Sequence, residues 1–303
     1  MSIEDFKTEL DKMEAVFTIN HAGDIVIEEA KVIFEYCEFK HHCEAISGLH
    51  RSHHAVIQKE YVLLGYDFYV IFEDEYRDKK DIVLSRIRNL LNKNNGEKVY
   101  ARDCVVREVP TKVASAFVNK FHIQGNAGAR VKLGLFKKDT DTLISVMTFG
   151  VLSRAKGNKE RTEGEFELIR FCTDSNYRCI GAAGKLMKHF ENNYEWNTIL
   201  TFADKRWSPT GGLYKQIGFE LHKTCAPNYF YLKVPEFTHR VHRFAFRRNV
   251  LRDRAAKETT LTEEQILSMT EFELAQALGF DRIWDCGNYK YLKYNNITGE
   301  IRC

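Results

Sequence analysis

The sequence predicts an α/β protein: a small α/β N-terminal domain, then an α+β domain with a mixed sheet, then a helical C-terminal extension. Three observations lead there. Phe166 to Cys172 alternates apolar and charged residues as a half-buried strand does, and runs through a small-residue turn into Lys185–Phe190 at helical spacing. Tyr66 to Phe72 is a second clear strand, flanked by helical stretches. His239 to Lys257 is a basic run that ends before a helix-start signature, Thr262 with Gln265 three residues on.

Length and composition set the bounds. The 303 residues suit about two domains, and 44% hydrophobic with 29% charged residues is an ordinary globular composition. No apolar run reaches the roughly 20 residues of a membrane span, and the N-terminus is acidic and amphipathic, unlike a signal peptide. Eight cysteines without any C-x-x-C spacing read as reduced thiols, so the expected location is cytoplasmic. The net charge of +3 identifies no partner, so the distribution of charge matters more.

In order, residues 1–93 form the first domain. Ile3 to Phe17 is a helix candidate with Phe6, Leu10, Met13 and Phe17 on one face, and Asp24 to Glu29 a strand ending in carboxylates. A His-rich helical region precedes the 66–72 strand, which runs into Glu73-Asp74-Glu75; Asp81 to Leu91 is a further helix. Acids at neighbouring strand ends are what a Mg²⁺-dependent phosphodiesterase needs, because hard oxygen ligands hold the ion beside the phosphate. Glu28, Glu73 and Asp74 are the candidate ligands, although solvated strand ends carry the same residues. Cys37, His41, His42, Cys43, His50, His53 and His54 are zinc-ligand types, but their spacing fits no standard structural site. Asn92 to Lys98 is a polar linker.

Residues 99–236 form the second domain. Val99 to Arg107 reads as a strand, Lys112 to Phe121 as a helix, and Val131–Leu135 with Leu143–Gly150 as a hairpin. Asn197 to Ala203, the short helix from Gly212 and the strand Asn228–Lys233 follow the central motif. Ser153 to Arg161 is a basic loop suited to phosphate contact. In the motif, Arg178-Cys179-Ile180-Gly181-Ala182-Ala183-Gly184 lets a ligand phosphate approach the backbone, where a helix N-terminus presents unpaired N–H groups. Residues 237–303 are the extension. Arg240, Arg243, Arg247, Arg248 and Arg252, with interleaved aromatics, are candidate nucleic-acid contacts, as is Arg206 beside Trp207.

The Arg-x-x-Gly-x-Ala turn, with Tyr214 to Phe219 as a Tyr-x-x-x-Gly-Phe ending, resembles the acyl-CoA-binding half of the GNAT (GCN5-related N-acetyltransferase) superfamily. That resemblance implies an acetyl-CoA or related acyl-CoA donor held by Arg178 and Gly181, Ala182, Ala183 and Gly184. It implies Glu167 or Asp204 as base, Tyr214 as the acid toward the leaving thiolate, and His122 on the facing loop. The base modifiers of the Mu Mom type carry a similar fold.

A second resemblance covers most of the chain. His54, Gly65-Tyr66 and Ile71 to Tyr76 look like the end of a Vsr-like, PD-(D/E)XK-type nuclease domain of the phage Hef-like homing endonucleases. Tyr100-Ala101-Arg102, His122 to Gly125 and Ala203 to Trp207 resemble further segments of those proteins. Lys31, Phe34, Glu35 and Ile57 stand where that family has Gly, Trp, His and Lys. Two functions are therefore expected: a GNAT-like DNA base modification enzyme, or a homing endonuclease making Mg²⁺-dependent cuts. Both imply double-stranded DNA as partner and a phage-infected bacterial cell as setting.

Overall fold

Helix α1 (Ile3–Lys12) starts on Ser2, whose hydroxyl accepts the Asp5 amide, with Glu4 and Asp5 in the first turn where the helix dipole favours acids. It buries Phe6 and Leu10 and ends at Met13, short of the expected Phe17, where Glu14 turns to φ +54°. Strands β1 (Thr18–Ile19), β2 (Ile25–Ile27) and β3 (Val32–Cys37) follow, then the short helices α2 (Phe39–His42) and α3 (Glu44–Ser47), helix α4 (His53–Leu63), strand β4 (Asp67–Phe72) and helix α5 (Glu73–Asp78). The sheet order is β1-β2-β3-β4, antiparallel up to β3, and β3 pairs with β4 in parallel across α4.

All six residues of β3 are buried, so both faces of the strand are covered. Phe34 and Tyr36 pack against Phe6, and Ile33 and Cys37 join Phe68, Val70 and Phe72 on the other face. Glu35 falls by alternation on the second face, an acid in an apolar layer.

This register corrects the Mg²⁺ expectation. Ile27 lies opposite Val32 and Val32 opposite Asp67, whereas Cys37 lies opposite Phe72. Glu28 is therefore beyond one end of the sheet and Glu73 and Asp74 beyond the other, more than about 17 Å apart at ~3.3 Å per residue.

The chain continues with α6 (Lys80–Leu90), β5 (Glu97–Tyr100), β6 (Cys104–Glu108), α7 (Thr111–Phe121), β7 (Val131–Lys137), β8 (Leu143–Val151), β9 (Glu165–Thr173) and β10 (Tyr177–Ile180). After these come α8 (Ala182–Asn193), β11 (Thr198–Asp204), α9 (Gly212–Gln216) and β12 (Glu220–Cys225). The strand expected over 99–107 is broken by a 3₁₀ turn at Ala101–Asp103, which sends β5 to pair with β10 and β6 to pair with β7.

The last elements are β13 (Tyr229–Lys233), β14 (Val241–His242), α10 (Arg248–Glu258), α11 (Glu263–Ser268), α12 (Glu271–Ala277), β15 (Phe280–Trp284) and β16 (Asn288–Tyr294). The capping box of Thr262 and Gln265 forms as expected. A second box, Thr270 with Glu273, opens a further helix directly after α11.

The computed structural model describes residues 2–151 and 163–295, so the basic loop Ser153–Arg161 lies outside the described residues. The chain divides into two units. The first joins Met1–Lys79, Asp204–Pro209 and Ala226–Asn288; the second holds the described parts of Lys80–Ala203, Thr210–Cys225 and Tyr289–Cys303. Boundaries at 93/99 and 236/237 were expected from sequence. Instead β13 leaves the central domain for a small sheet of order β14-β13-β15, and most of the C-terminal segment, strands included, belongs with the N-terminus.

In the second unit the mixed sheet runs β12-β16-β11-β9-β8-β7-β6, with β9 and β11 parallel. Helix α8 covers one face through Ala182, Ala183, Leu186, Met187 and Phe190, and α7 covers the other through Ala114 and Val118. Among the described residues no helix is long and apolar enough to cross a membrane.

Candidate functional site

Strands β9 and β11 pair over only three residues, Glu165–Glu167 against Thr198–Leu200. Beyond them the ladder ends, although β9 continues to Thr173 and β11 to Asp204. The buried Thr201 hydroxyl donates to the Leu168 carbonyl at 2.9 Å, satisfying an acceptor that the opened ladder leaves without a backbone N–H. An opening between two parallel strands at the centre of a sheet is a place where a ligand can lie along exposed backbone.

The helix that follows carries the second half of the site. Gly181 sits before α8 at φ +81°, a left-handed conformation that suits glycine and turns the chain from β10 into the helix. The first amides of α8 lack intrahelical partners, and no acid occupies its first turn. A Cβ built on Gly184 would meet nothing within 4 Å, so the approach to these amides is open. Lys185 is not part of this cradle, since its ammonium donates to the Ala101 and Cys104 carbonyls at 2.8 and 2.6 Å. Arg178 is exposed, and the parallel β10–β5 register sets the exposed Lys98 directly opposite it. Two cations therefore stand on one face beside the cradle; Lys98 was missed in the sequence because it lay in the presumed linker.

A β-bulge organises the chemistry-bearing residues. Thr148 lies opposite Arg170 and Phe149 opposite Leu168, which leaves Ile169 as an extra residue in β9. Phe166, Leu168 and Phe171 pack in the α8-side core, whereas Cys172 packs on the α7 side. The extra residue breaks the alternation, so Glu167, Arg170 and Cys172 share a face despite their uneven spacing. Burial depresses the Arg170 pKa, and the nearby Glu167 and Tyr214 oppose that shift. Arg170 donates to the Gly125 carbonyl at 2.8 Å, anchoring the turn in which His122 Nδ1 accepts the Gln124 amide. Tyr214 stacks on Tyr291 with ring centroids 5.4 Å apart. Thus Glu167, Tyr214 and the His122 turn are gathered round Arg170, a residue that the sequence reading passed over.

Asp204 and Arg206 are corrected. Arg206 is 4% exposed; it donates to Glu75 at 2.8 and 3.0 Å and to Asp204 at 2.7 Å. Asp204 also accepts the Arg206 amide at 3.0 Å, so it caps the turn after β11 and neutralises a buried guanidinium instead of serving as a base. Arg240 is corrected likewise: it grips Asp74 and Glu75 at 2.9 Å each and lies 3.9 Å from the centre of the Phe72 ring. Burial would raise the Glu75 pKa, but Arg206 and Arg240 outweigh it and hold the group down to about 2.

The metal candidates are accordingly spent elsewhere. Asp74 is paired with Arg240, Glu73 accepts the Phe39 amide at 3.2 Å, and the exposed Glu28 pairs with Lys31 and Tyr66. Of the remaining arginines, Arg252 donates to the Leu267 carbonyl and Arg248 to the Met269 carbonyl. Arg243 and Arg247 are exposed and flank Phe244, which is 59% exposed, at 5.6 and 5.5 Å from its ring.

The order of strands, the bulged central strand, its splayed parallel neighbour and the open helix N-terminus define the second unit as an α/β domain built on one mixed sheet. The chain belongs to the Mom protein family, whose profile matches residues 103–276. Solved structures similar to it include the IAA acetyltransferase from Bacillus cereus (11% identity, 63% of this chain and 99% of that one, TM-score 0.33). Others are a GNAT family acetyltransferase from Elizabethkingia anophelis with acetyl-CoA bound (8%, 64% and 99%, 0.33) and the ribosomal-protein-S18-alanine N-acetyltransferase from Escherichia coli (9%, 65% and 97%, 0.34). Overlaps this loose fix neither substrate nor chemistry for this chain. Among curated protein sequences, none matches.

Proposed function

We propose that the protein is a DNA base modification enzyme whose second unit takes an acyl-CoA-type donor and whose first unit presents double-stranded DNA. The observation that carries this reading is the family match, which spans the splayed β9–β11 pair and the open α8 N-terminus. A donor bearing a diphosphate fits those residues: Gly184 leaves room, the α8 amides can donate to the anion, and Arg178 and Lys98 supply cations. When bound, such a donor supplies an activated group.

The chain's own residues hold and move protons. The Glu167 carboxylate takes a proton from the incoming amine, and the Tyr214 hydroxyl returns one to the departing group. Arg170 lies within electrostatic reach of both, so its guanidinium faces the two groups that exchange protons. Arg243, Arg247 and the exposed Phe244 are a surface of the kind that contacts phosphates and stacks bases.

Mass spectrometry of nucleosides from cells expressing the protein, run beside a plasmid nicking assay, tests the proposal. A new base mass without nicks supports it; nicks without a new mass overturn it. The endonuclease alternative lacks its ligand set among the described residues, because Glu28 is remote from Asp74 and Arg240 neutralises Asp74.

A further inference from the structure

The first unit contains a cluster that base modification does not use. Glu35, in the buried apolar face of β3, is 7% exposed. Its Oε2 meets His54 Nδ1 at 2.9 Å and its Oε1 meets His42 Nε2 at 3.1 Å. His54 is itself only 2% exposed, and stands in the first turn of α4 beside the half-buried His53. One ligand atom from each of Glu35, His53 and His54 lies within 4.8 Å of the other two. The His53 and His54 rings meet edge-on with centroids 5.2 Å apart.

From these positions we infer that Glu35, His53 and His54 form a binding site for a divalent transition metal of the zinc class, with His42 orienting the carboxylate. Three features carry the inference. The first is spacing: ligands on a tetrahedral ion with bonds of ~2.0 Å lie about 3.3 Å apart, so the 2.9 Å Glu35–His54 edge already has that scale. Bringing His53 in from within 4.8 Å takes a side-chain rotation on the half-buried side of the cluster.

The second is orientation. His42 bonds the Glu38 carbonyl through Nδ1 at 2.8 Å and turns Nε2 to Glu35. A ring fixed by a backbone carbonyl at one nitrogen and a carboxylate at the other is how outer partners hold a metal-ligating carboxylate in place. The third is composition. A lone carboxylate in an apolar layer requires only one cationic partner, yet three imidazoles converge here from two helices. Two histidines and one carboxylate leave a fourth position free, the pattern of a zinc site that binds water or a substrate. The site lies outside residues 103–276, which the family profile matches.

Metal content and cobalt spectroscopy of the full chain test this. The protein, stripped by chelator and dialysed against Zn²⁺ or Co²⁺, should retain about one ion, and the cobalt form should show the visible d–d bands of a four-coordinate site. His53→Ala removes a ligand from the half-buried edge, so it should keep the circular dichroism of the parent and lose affinity more than about tenfold. His41→Ala, at an exposed neighbouring imidazole, should lose none. Less than about 0.2 ion per folded chain overturns the inference, as does full binding retained by a folded His53→Ala variant. If His53→Ala proves unfolded, the cobalt spectrum of the parent decides: an octahedral, weakly absorbing signature overturns the site.

Discussion

Replacing Gly184 by aspartate should move stability and ligand affinity in opposite directions. Gly184 is the third residue of α8, with open space where a Cβ would stand. Glycine costs a helix about 1 kcal/mol relative to alanine and aspartate somewhat less, while an acid in the first turn gains about 0.3–1 kcal/mol from the dipole. The fold should therefore gain about 0.5–1 kcal/mol, which for a unit of this size raises Tm by roughly 1–4 °C. A phosphate on the same amides would lie about 5 Å from the new carboxylate. At an effective dielectric near 20, each unit of like charge costs about 3 kcal/mol there; discounted by half for solvent access, that is still more than about tenfold in affinity.

Titration calorimetry with coenzyme A and a thermal melt read the two effects on one sample, with Gly184→Asn as the uncharged control. Coenzyme A affinity unchanged in a folded aspartate variant would refute the cradle. Absence of any binding by the parent would remove the acyl-CoA donor from the proposal.

Arg240→Ala should destabilise the first unit by about 3–5 kcal/mol in denaturant titration, because Asp74 and Glu75 then remain buried with less compensation. The same network predicts acid sensitivity. Glu75 is held at about 2 in the fold against an ordinary 4.5, so its contribution is complete above pH 4.5 and is lost as pH falls from there toward 2. The loss is on the order of 3 kcal/mol, to be followed by near-UV circular dichroism, and should shrink in Arg240→Ala. Arg243→Ala with Arg247→Ala should weaken binding to DNA of any sequence and reduce the salt slope by about two, whereas Arg252→Ala should lower Tm and leave the slope alone. Tyr214→Phe should slow base modification on the order of a hundredfold or more with coenzyme A affinity unchanged; equal losses in both would make Tyr214 a packing residue through its stack on Tyr291.

Local signals were legible in the sequence. The 166–172 alternation, the Arg178–Gly184 turn and the Thr262 capping box depend on residues close in the chain, and each appears as β9, the α8 cradle or the start of α11. What the sequence hid was set by register and return. The distance between Glu28 and Asp74 depends on β2 running antiparallel to β3 while β4 runs parallel to it, which no local pattern states. Arg240 looked like a nucleic-acid contact in a basic run because Asp74 and Glu75, its partners, lie more than 160 residues away. Glu35 looked like a lost histidine, and only the fold brings His42 and His54 to its two oxygens. Arg170 was passed over because strict alternation placed it apart from Glu167, and a bulge at Ile169 undoes that alternation.

The interleaving of the two units bears on how the protein is made. A ribosome delivers Asp74 and Glu75 early and Arg240 much later, while strand β15, which completes the small sheet with β13, ends only at Trp284. The N-terminal part must wait, with β3 and β4 paired but Asp74 uncompensated and Glu75 held by Arg206 alone, until Arg240 has emerged. The middle segment, whose β6–β9 strands are each antiparallel to the one before, can zip as it appears. A stop codon near residue 236 would therefore do more than trim a tail, since it would leave Asp74 without Arg240 and Glu75 with Arg206 alone, a product open to proteolysis.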